Sequence, residues 1–256
     1  MFASDRERRT VNKFAADLRL SAGDIGPARA CRAAATTLDP LAEERHRRLL
    51  AGAHVLVVGP APSSRPTGDQ LARADVVAVT KRPLDRSLTA CPQLVYPTDA
   101  SARLDLRPEQ LCATQTVVLR PSILRSPSHA APAFAASRVM PAEDANAYLG
   151  TRFGVQRILY DLLHYDPAVI ELCGVDFFLA PTPYVEGYTD ETDRLYQPND
   201  LQPSMSVAPH DYIWDFSFTK TLHEHGHLTV GPEIQSILRL TPGEYLRQLE
   251  AVLTST

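Results

Sequence analysis

Short, uninterrupted apolar runs recur along the chain, and helical patterns separate several of them. The first run is HVLVVG, and such runs are found at residues 54–59, 76–81, 92–97, 115–120 and 168–174. Runs of this length without polar alternation are typical of strands that are buried on both faces. The amphipathic pattern RFGVQRILYDLLHYD, at 152–166, predicts a helix before the last run. This alternation predicts an α/β fold of Rossmann-like, nucleotide-binding type, with a mostly parallel sheet and helices on both faces.

Residue types around the first run predict where the main domain begins. In LDPLAEERHRRLLAG, Asp39 can cap a helix, Pro40 suits its first turn and Gly52 can end it. Residues 1–38 carry only weak helical patterns rich in Ala and Arg, so we expect a helical appendage there. Residues 39–256 are then expected to form a single α/β domain.

A long irregular segment interrupts the pattern in the last third of the chain. Residues 178–209 are polar, proline-rich and aromatic-bearing, which is typical of a lid or a binding loop. After this loop we expect a helix from about 210 to 225 and a short strand in the letters LTV. Two closing helices are expected in PEIQSILRL and TPGEYLRQLEAVL.

Composition narrows the class of protein. The 256 residues are 44% hydrophobic and 22% charged, as is ordinary for a soluble globular domain. A formal net charge of −4 gives no reason to expect nucleic acid or an anionic membrane as a partner. The cysteines form no C-x-x-C pair. No apolar run approaches the roughly 18 residues that a membrane span needs. The first residues, MFASDRERRT, do not have the pattern of a secretory signal. We therefore expect a cytoplasmic protein.

The turn after the first strand, GPAPSSRPTG, has features of a phosphate-binding loop. Gly59 permits close backbone approach, and Ser63, Ser64 and Thr67 offer hydroxyl groups. A helix beginning at Thr67 or Gly68 would point free N–H groups at an anion. The turn is neither G-x-G-x-x-G nor a P-loop. The alternative is a proline-stiffened connection that binds no ligand.

Residues 208–228, APHDYIWDFSFTKTLHEHGHL, contain four of the eight histidines and admit two chemistries. The letters HEHGH match the H-E-x-x-H pattern of zinc metallopeptidases, which needs both histidines on one helix face. Gly226 directly precedes His227 and indicates a helix end, which would carry His227 off the helix. We therefore expect no metal site and consider a metallopeptidase the least favoured reading.

His210 is the better candidate for chemistry. It follows Pro209 at the start of a helix, where a cleft mouth is expected, and Asp215 follows it by roughly one helical turn. Imidazole titrates near neutrality, so His210 could take a proton from an attacking hydroxyl while Asp215 orients it. The alternative is an ordinary surface histidine.

The segment from the first apolar run to the second, VLVVGPAPSSRPTGDQLARADVVAVTK, resembles the long donor-binding motif of the sialyltransferases. In that motif a strand ends V-V-G-N-S and a second strand begins D-x-V-x-R-x-N. This chain matches that motif at Val57, Val58, Gly59, Asp75 and Val77. It departs from the motif at Pro60, Val79 and Lys81. Animal members carry a disulfide between the first two motifs, and no cysteine stands at either place here.

Two further segments are similar to the family's short motif and to its H-x-x-x-x-E motif. Gly154 would open the helix of the short motif, with Arg152-Phe153 in place of the family's Ser-Thr, and CGVDFF, at 173–178, would close the strand after it. His210 and Asp215 have the spacing of the third motif, with Asp in place of Glu. The resemblance covers about residues 52–240.

The resemblance implies a modified GT-A fold and a bacterial-type, inverting glycosyltransferase that needs no metal or other cofactor. It would transfer a sugar from a nucleotide-activated, CMP-linked donor to a glycan or small-molecule acceptor, with His210 as the general base. Donor binding would fall to Gly59, Ala61, Ser63, Ser64, Lys81, Thr151, Arg152, Gly154 and Asp176. Tyr188 and Tyr196 would serve the acceptor or the leaving group. The alternatives are a nucleotide-dependent hydrolase or pyrophosphokinase-like enzyme, and a non-catalytic nucleotide- or glycan-binding protein.

Overall fold

The computed structural model describes residues 19, 22–26, 39–85, 87–98, 106, 111, 113–120, 136–140, 154–180 and 211–254. Within these ranges, seven strands form one sheet in which every pairing is parallel. The strands are β1 (His54–Val58), β2 (Val76–Thr80), β3 (Gln93–Tyr96), β4 (Gln115–Leu119), β5 (Ser137–Val139), β6 (Val169–Cys173) and β7 (Thr229–Val230). The predicted α/β class with a mostly parallel sheet is confirmed.

Six helices lie within the described residues. They are α1 (Pro40–Leu50), α2 (Gly68–Arg73), α3 (Gly154–Leu162), α4 (Tyr212–Glu224), α5 (Pro232–Leu238) and α6 (Pro242–Thr254). Asp39 caps α1 as predicted, because its Oδ1 accepts from the amides of Leu41 at 3.0 Å and Ala42 at 2.9 Å. Asp211 caps α4 in the same way, accepting from the Trp214 amide at 2.9 Å.

The strands β1, β2, β3, β4 and β6 are largely buried on both faces, and the two faces of the sheet carry unequal cores. Side chains of one face, such as Val57, pack with α1, α3, α4, α5 and α6 in the larger cluster. Side chains of the other face, such as Leu56, pack with α2 and with loop residues that include Leu84 and Leu106. This burial explains the continuous apolar runs, because alternate residues of one strand enter opposite cores.

The strand order reverses next to β1. In the order β5-β4-β3-β2-β1-β6-β7, the chain runs from β1 to β5 on one side and continues with β6 and β7 on the other. In open α/β sheets, ligands bind where the order reverses, outside the carboxyl ends of the strands. The topology therefore directs attention to the loops that follow β1 and β6.

The edge strand β5 was not predicted, and its central residue explains how it is held. Arg138 is buried and donates to both carboxylate oxygens of Asp161 on α3, at 3.0 and 2.8 Å. It also donates to Glu43 on α1 at 2.8 Å and to the hydroxyl of Tyr165. Tyr96, at the end of β3, donates to Asp161 at 2.7 Å. A buried ionic network thus ties the sheet edge to two helices.

Part of the predicted N-terminal appendage lies against the main domain. Ile25 packs on the larger core cluster, and a Cβ atom on Gly23 would lie within 2.5 Å of the His225 ring. Residues 22–26 therefore contact the domain near the end of α4. Across the described ranges, the model contains no helix with the length and apolar character that a membrane crossing requires.

Candidate functional site

The loops that leave β1 and β6 are hydrogen-bonded to each other at the point where the strand order reverses. The Ala61 amide donates to the Gly174 carbonyl at 2.8 Å, and the Gly174 amide donates to the Ser64 carbonyl at 2.7 Å. A Cβ atom on Gly59 would lie 2.3 Å from the Gly174 carbonyl oxygen. Gly59 therefore provides the close backbone approach expected from the sequence, although its neighbour there is protein backbone.

Gly174 tolerates a side chain even less well than Gly59 does. Its φ is +64°, and a Cβ atom there would lie 2.4 Å from the Gly59 carbonyl oxygen. We expect Gly174→Ala to lower the free energy of unfolding by about 2–4 kcal/mol, since it adds a left-handed alanine and a backbone overlap. Gly226→Ala is the matched control, because Gly226 has φ +75° and nothing within 4 Å of the added atom.

Denaturant unfolding of both variants separates the two effects. For Gly226→Ala, the free energy of unfolding should fall only by the cost of placing an alanine in the left-handed conformation, about 1–2 kcal/mol. Equal losses in the two variants would contradict the close packing of the loops after β1 and β6.

A pocket with a cavity volume of about 90 Å³ opens at this carboxyl edge of the sheet. Its glycine side is formed by Pro60, Ala61, Thr80, Gly154 and Gly174. Its acidic–aromatic side is formed by Asp176, Phe177, Phe178, Tyr212, Asp215 and Tyr245. Four residues predicted for the site are thereby brought together: Ala61, Gly154, Asp176 and Asp215. The pocket lies where the topology directed attention.

The first turn of α3 reaches the glycine side. A Cβ atom on Gly154 would lie 2.8 Å from Thr80 Cγ2, so the start of α3 packs closely against the end of β2. Gln156 also lines the pocket, and its amide nitrogen donates to the Thr219 hydroxyl of α4 at 3.1 Å. The glycine side thus combines small residues with a helix N-terminus, which suits the approach of a phosphate.

Residues with strained backbone conformations are concentrated at the carboxyl edge of the sheet. Five non-glycine residues in the described part of the chain have positive φ, and four of them follow strands β1, β2 and β6: Ser64 at 47°, Lys81 at 60°, Phe177 at 52° and Phe178 at 63°. Such conformations cost on the order of 1–3 kcal/mol each and cluster at binding sites. The strained residues mark the loops after three neighbouring strands as the functional edge.

Asp176 is the residue of the pocket with the most unusual environment. It is 7% exposed, and its Oδ1 accepts from the Phe178 amide at 2.9 Å. Its Oδ2 is buried and has no hydrogen-bond partner among the described residues. Burial raises the pKa of the Asp176 carboxyl, although the Phe178 amide opposes that change. A buried carboxylate oxygen without a partner is costly, so a ligand that donates to it would bind favourably.

Asp215 is the second carboxylate of the acidic–aromatic side and lies near its aromatic residues. Asp215 is 1% exposed, and it lies in the first turn of α4. Tyr245 stacks on Phe216 with ring centroids 4.4 Å apart and donates to the Phe177 carbonyl at 3.2 Å. The pKa of Tyr245 is raised by burial and further by electrostatic interaction with Tyr212, Asp215 and Asp176. Tyr245 therefore lies close enough to both carboxylates to interact with them electrostatically.

Other predicted donor residues lie at the same edge without lining the pocket. Ser63 and Ser64 have buried hydroxyl oxygens that find no hydrogen-bond partner in the described part of the chain. Lys81 directly follows the pocket residue Thr80. Thr67 and Gln70 cap α2 reciprocally, at 3.2 and 2.8 Å, so the predicted anion-binding amides of that helix are partly used by the helix itself.

Five predicted site residues lie outside the described residues. They are Thr151, Arg152, Tyr188, Tyr196 and His210. Tyr212 and Tyr245 line the pocket but were not predicted for it. Tyr212 follows the predicted site residue His210 by two positions, and this closeness in sequence could have indicated it. Tyr245 comes from the closing helix α6, and the sequence gives no sign that α6 folds back to the site.

The HEHGH segment forms a helix end, as predicted. α4 ends at Glu224, Gly226 has φ +75°, and the His227 amide donates to the Leu222 carbonyl at 2.9 Å. His223 Nδ1 lies 3.1 Å from the Leu228 carbonyl oxygen. Across the described residues there is no cluster of three or more His, Cys, Asp or Glu side chains suited to a metal ion. His223 and His227 do not share a helix face, which is the arrangement that a zincin needs.

Comparison with known proteins yields little. Neither a protein-family model nor a curated protein matches this chain. Among solved structures, it is similar to a mammalian sialyltransferase, with a TM-score of 0.40 and 13% sequence identity over 86% of this chain and 84% of that one. Likeness at this level decides neither family nor activity.

Proposed function

We propose that this protein is an inverting glycosyltransferase of sialyltransferase-like type. It transfers a sugar from a nucleotide-activated, CMP-linked donor to the hydroxyl of a glycan or small-molecule acceptor and requires no metal. The observation that carries the proposal is the pocket at the reversal of strand order, because it joins a glycine-lined side to two buried carboxylates.

The two sides of the pocket suit the two substrates. The glycine side suits the donor phosphate, because small residues and the start of α3 admit close approach and favour negative charge. The acidic–aromatic side suits the acceptor, because carboxylates orient hydroxyl groups and aromatic rings cover the apolar faces of sugars. The same charges would repel a phosphate. Donor and acceptor would thereby contact different residues of one pocket.

The proposed reaction is a direct displacement. His210 takes the proton of the acceptor hydroxyl as its oxygen bonds to the anomeric carbon of the donor sugar. The bond from that carbon to the phosphate oxygen breaks, its electron pair leaves with the phosphate, and the configuration inverts. The start of α3 stabilises the charge that develops on the departing phosphate. His210 is two positions before the pocket residue Tyr212, so chain order favours its placement on the acceptor side.

One observation favours a second candidate, a nucleotide-sugar hydrolase. Asp176 has a buried oxygen without a hydrogen-bond partner and a raised pKa, which are properties of a carboxylate that could activate water. A hydrolase would release free sugar from the donor at a rate that added acceptor does not change. A transferase should instead form product in proportion to acceptor.

The donor site can be tested by thermal stabilisation with CMP, CDP, UDP and GDP. A nucleotide at about 100 times its dissociation constant adds close to 3 kcal/mol of stability, and we expect this of CMP or CDP alone. Gly154→Ala should weaken the effect several-fold, since the added methyl group enters the glycine side of the pocket. Gly68→Ala is the matched control, because Gly68 also begins a helix and has nothing within 4 Å. No stabilisation by any nucleotide would refute the donor site.

A further inference from the structure

The acidic–aromatic side of the pocket contains a buried carboxylate, Asp176, that has no cationic partner among the described residues. Asp176 and Asp215 both line it and are both buried, at 7% and 1% exposure. Among the described residues that line the pocket, none is Lys, Arg or His. Buried carboxylates are ordinarily paired with a cation or fully hydrogen-bonded, because desolvation penalises the charge. A ligand could therefore supply the cationic group that Asp176 lacks among the described residues.

Asp176 shows where that group would bind. Asp176 lines the pocket, its Oδ1 accepts from the Phe178 amide, and its Oδ2 has no hydrogen-bond partner among the described residues. A neutral hydroxyl could donate one hydrogen bond to this oxygen but would leave the charge uncompensated. A protonated amine donates up to three hydrogen bonds and neutralises the carboxylate as well. The chemistry of the pocket thus favours an ammonium group over a hydroxyl.

The aromatic residues favour the same ligand. Phe177, Phe178, Tyr212 and Tyr245 line the pocket beside the two carboxylates. The Phe178 and Tyr212 rings meet edge to face, with centroids 5.5 Å apart, and Tyr245 is fixed by its stack on Phe216. Aromatic rings attract cations through the negative charge of their faces, and carboxylates with aromatic rings are a recurrent way to bind ammonium groups. An anionic group would be repelled here.

We propose that the acidic–aromatic side of the pocket binds a protonated amino group of the acceptor, and that Asp176 is the residue that selects it. The assignment of this group to the acceptor rests on the proposed glycosyl transfer, whereas the binding of an ammonium group rests on the pocket alone. The acceptor is then an amino-bearing sugar or polyol, and acetylation of its amino group weakens binding.

The test compares glucosamine with two neutral analogues, N-acetylglucosamine and glucose. Dissociation constants are measured by thermal stabilisation at constant ionic strength, at a pH where the amine is protonated. We expect the wild-type protein to bind glucosamine about tenfold or more tightly than either neutral sugar. A ratio near one, or no binding of glucosamine, overturns the proposal.

Asp176→Asn identifies the selecting residue. Asparagine keeps the oxygen that accepts from the Phe178 amide but removes the charge, so the fold should persist while the preference for glucosamine falls toward one. Asp69→Asn is the matched control, because Asp69 is exposed on α2 and lies outside the pocket. A preference retained in Asp176→Asn overturns the role of Asp176. If that variant does not fold, the wild-type ratio alone decides whether an ammonium group binds.

The same samples separate this proposal from the proposed function. Glucosamine selection without stabilisation by CMP would support the ammonium site and refute the donor site. Stabilisation by CMP without glucosamine selection would do the reverse. The two inferences can therefore fail independently.

Discussion

Replacing Arg138 with methionine is expected to lower the free energy of unfolding by about 3–5 kcal/mol. The change leaves the carboxylates of Asp161 and Glu43 buried without the guanidinium that pairs with both. In the wild-type protein His46 does not share this role, although its Nε2 lies 3.6 Å from Asp161, because burial lowers the pKa of His46. Denaturant unfolding monitored by circular dichroism measures the loss.

Two further variants test the cause of this loss. The double variant Arg138→Met, Asp161→Asn should be more stable than the sum of the two single losses predicts. Asp161→Asn removes a carboxylate that Arg138→Met alone leaves buried without its guanidinium, and so removes part of the cost of the first change. Arg48→Met is the surface control, since Arg48 pairs at 2.9 Å with Glu44 in solvent. It should change stability by no more than about 0.5 kcal/mol. Similar losses in Arg48→Met and Arg138→Met would contradict the importance of burial.

The central strands could be predicted because each is buried on both faces. β1, for example, contributes Leu56 to one core and Val57 to the other, so nearly every position is apolar. β5 escaped prediction for the opposite reason. Its three residues, Ser137–Val139, contain a charged centre that is stable only because Asp161 and Glu43 reach it from helices distant in sequence. A pattern of neighbouring residues cannot reveal such a partnership.

The site was predictable where it depends on strand ends. Gly59, Ala61 and Asp176 follow apolar runs directly, and parallel strands place their carboxyl ends along one edge. The absence of cations from the described lining was not predictable, because it depends on which side chains point inward. Tyr245 stands more than 60 residues after Asp176 and joins it only through the packing of α6 on α4. Proximity of this kind is a property of tertiary packing.

Replacing His210 with alanine is expected to reduce glycosyl transfer by about 10²–10⁴-fold, the usual contribution of a general base. Stabilisation by CMP should stay unchanged, because the donor is assigned to the glycine side of the pocket and the base to the acceptor side. Transfer is measured as the rate of CMP release that depends on added acceptor. Asp215→Asn should lower the same rate with little change in nucleotide binding if Asp215 positions His210.

His225→Ala is the matched control for His210→Ala. Both histidines flank α4, but His225 follows the other end, about 20 Å along a helix of this length, with its Nδ1 2.9 Å from the Thr221 carbonyl oxygen. Its removal should leave transfer intact. Full activity in His210→Ala would contradict the assignment of the base and direct attention to Asp176. Loss of both transfer and CMP binding would instead indicate that His210 belongs to the donor site, since a general base for the acceptor has no role in binding the nucleotide.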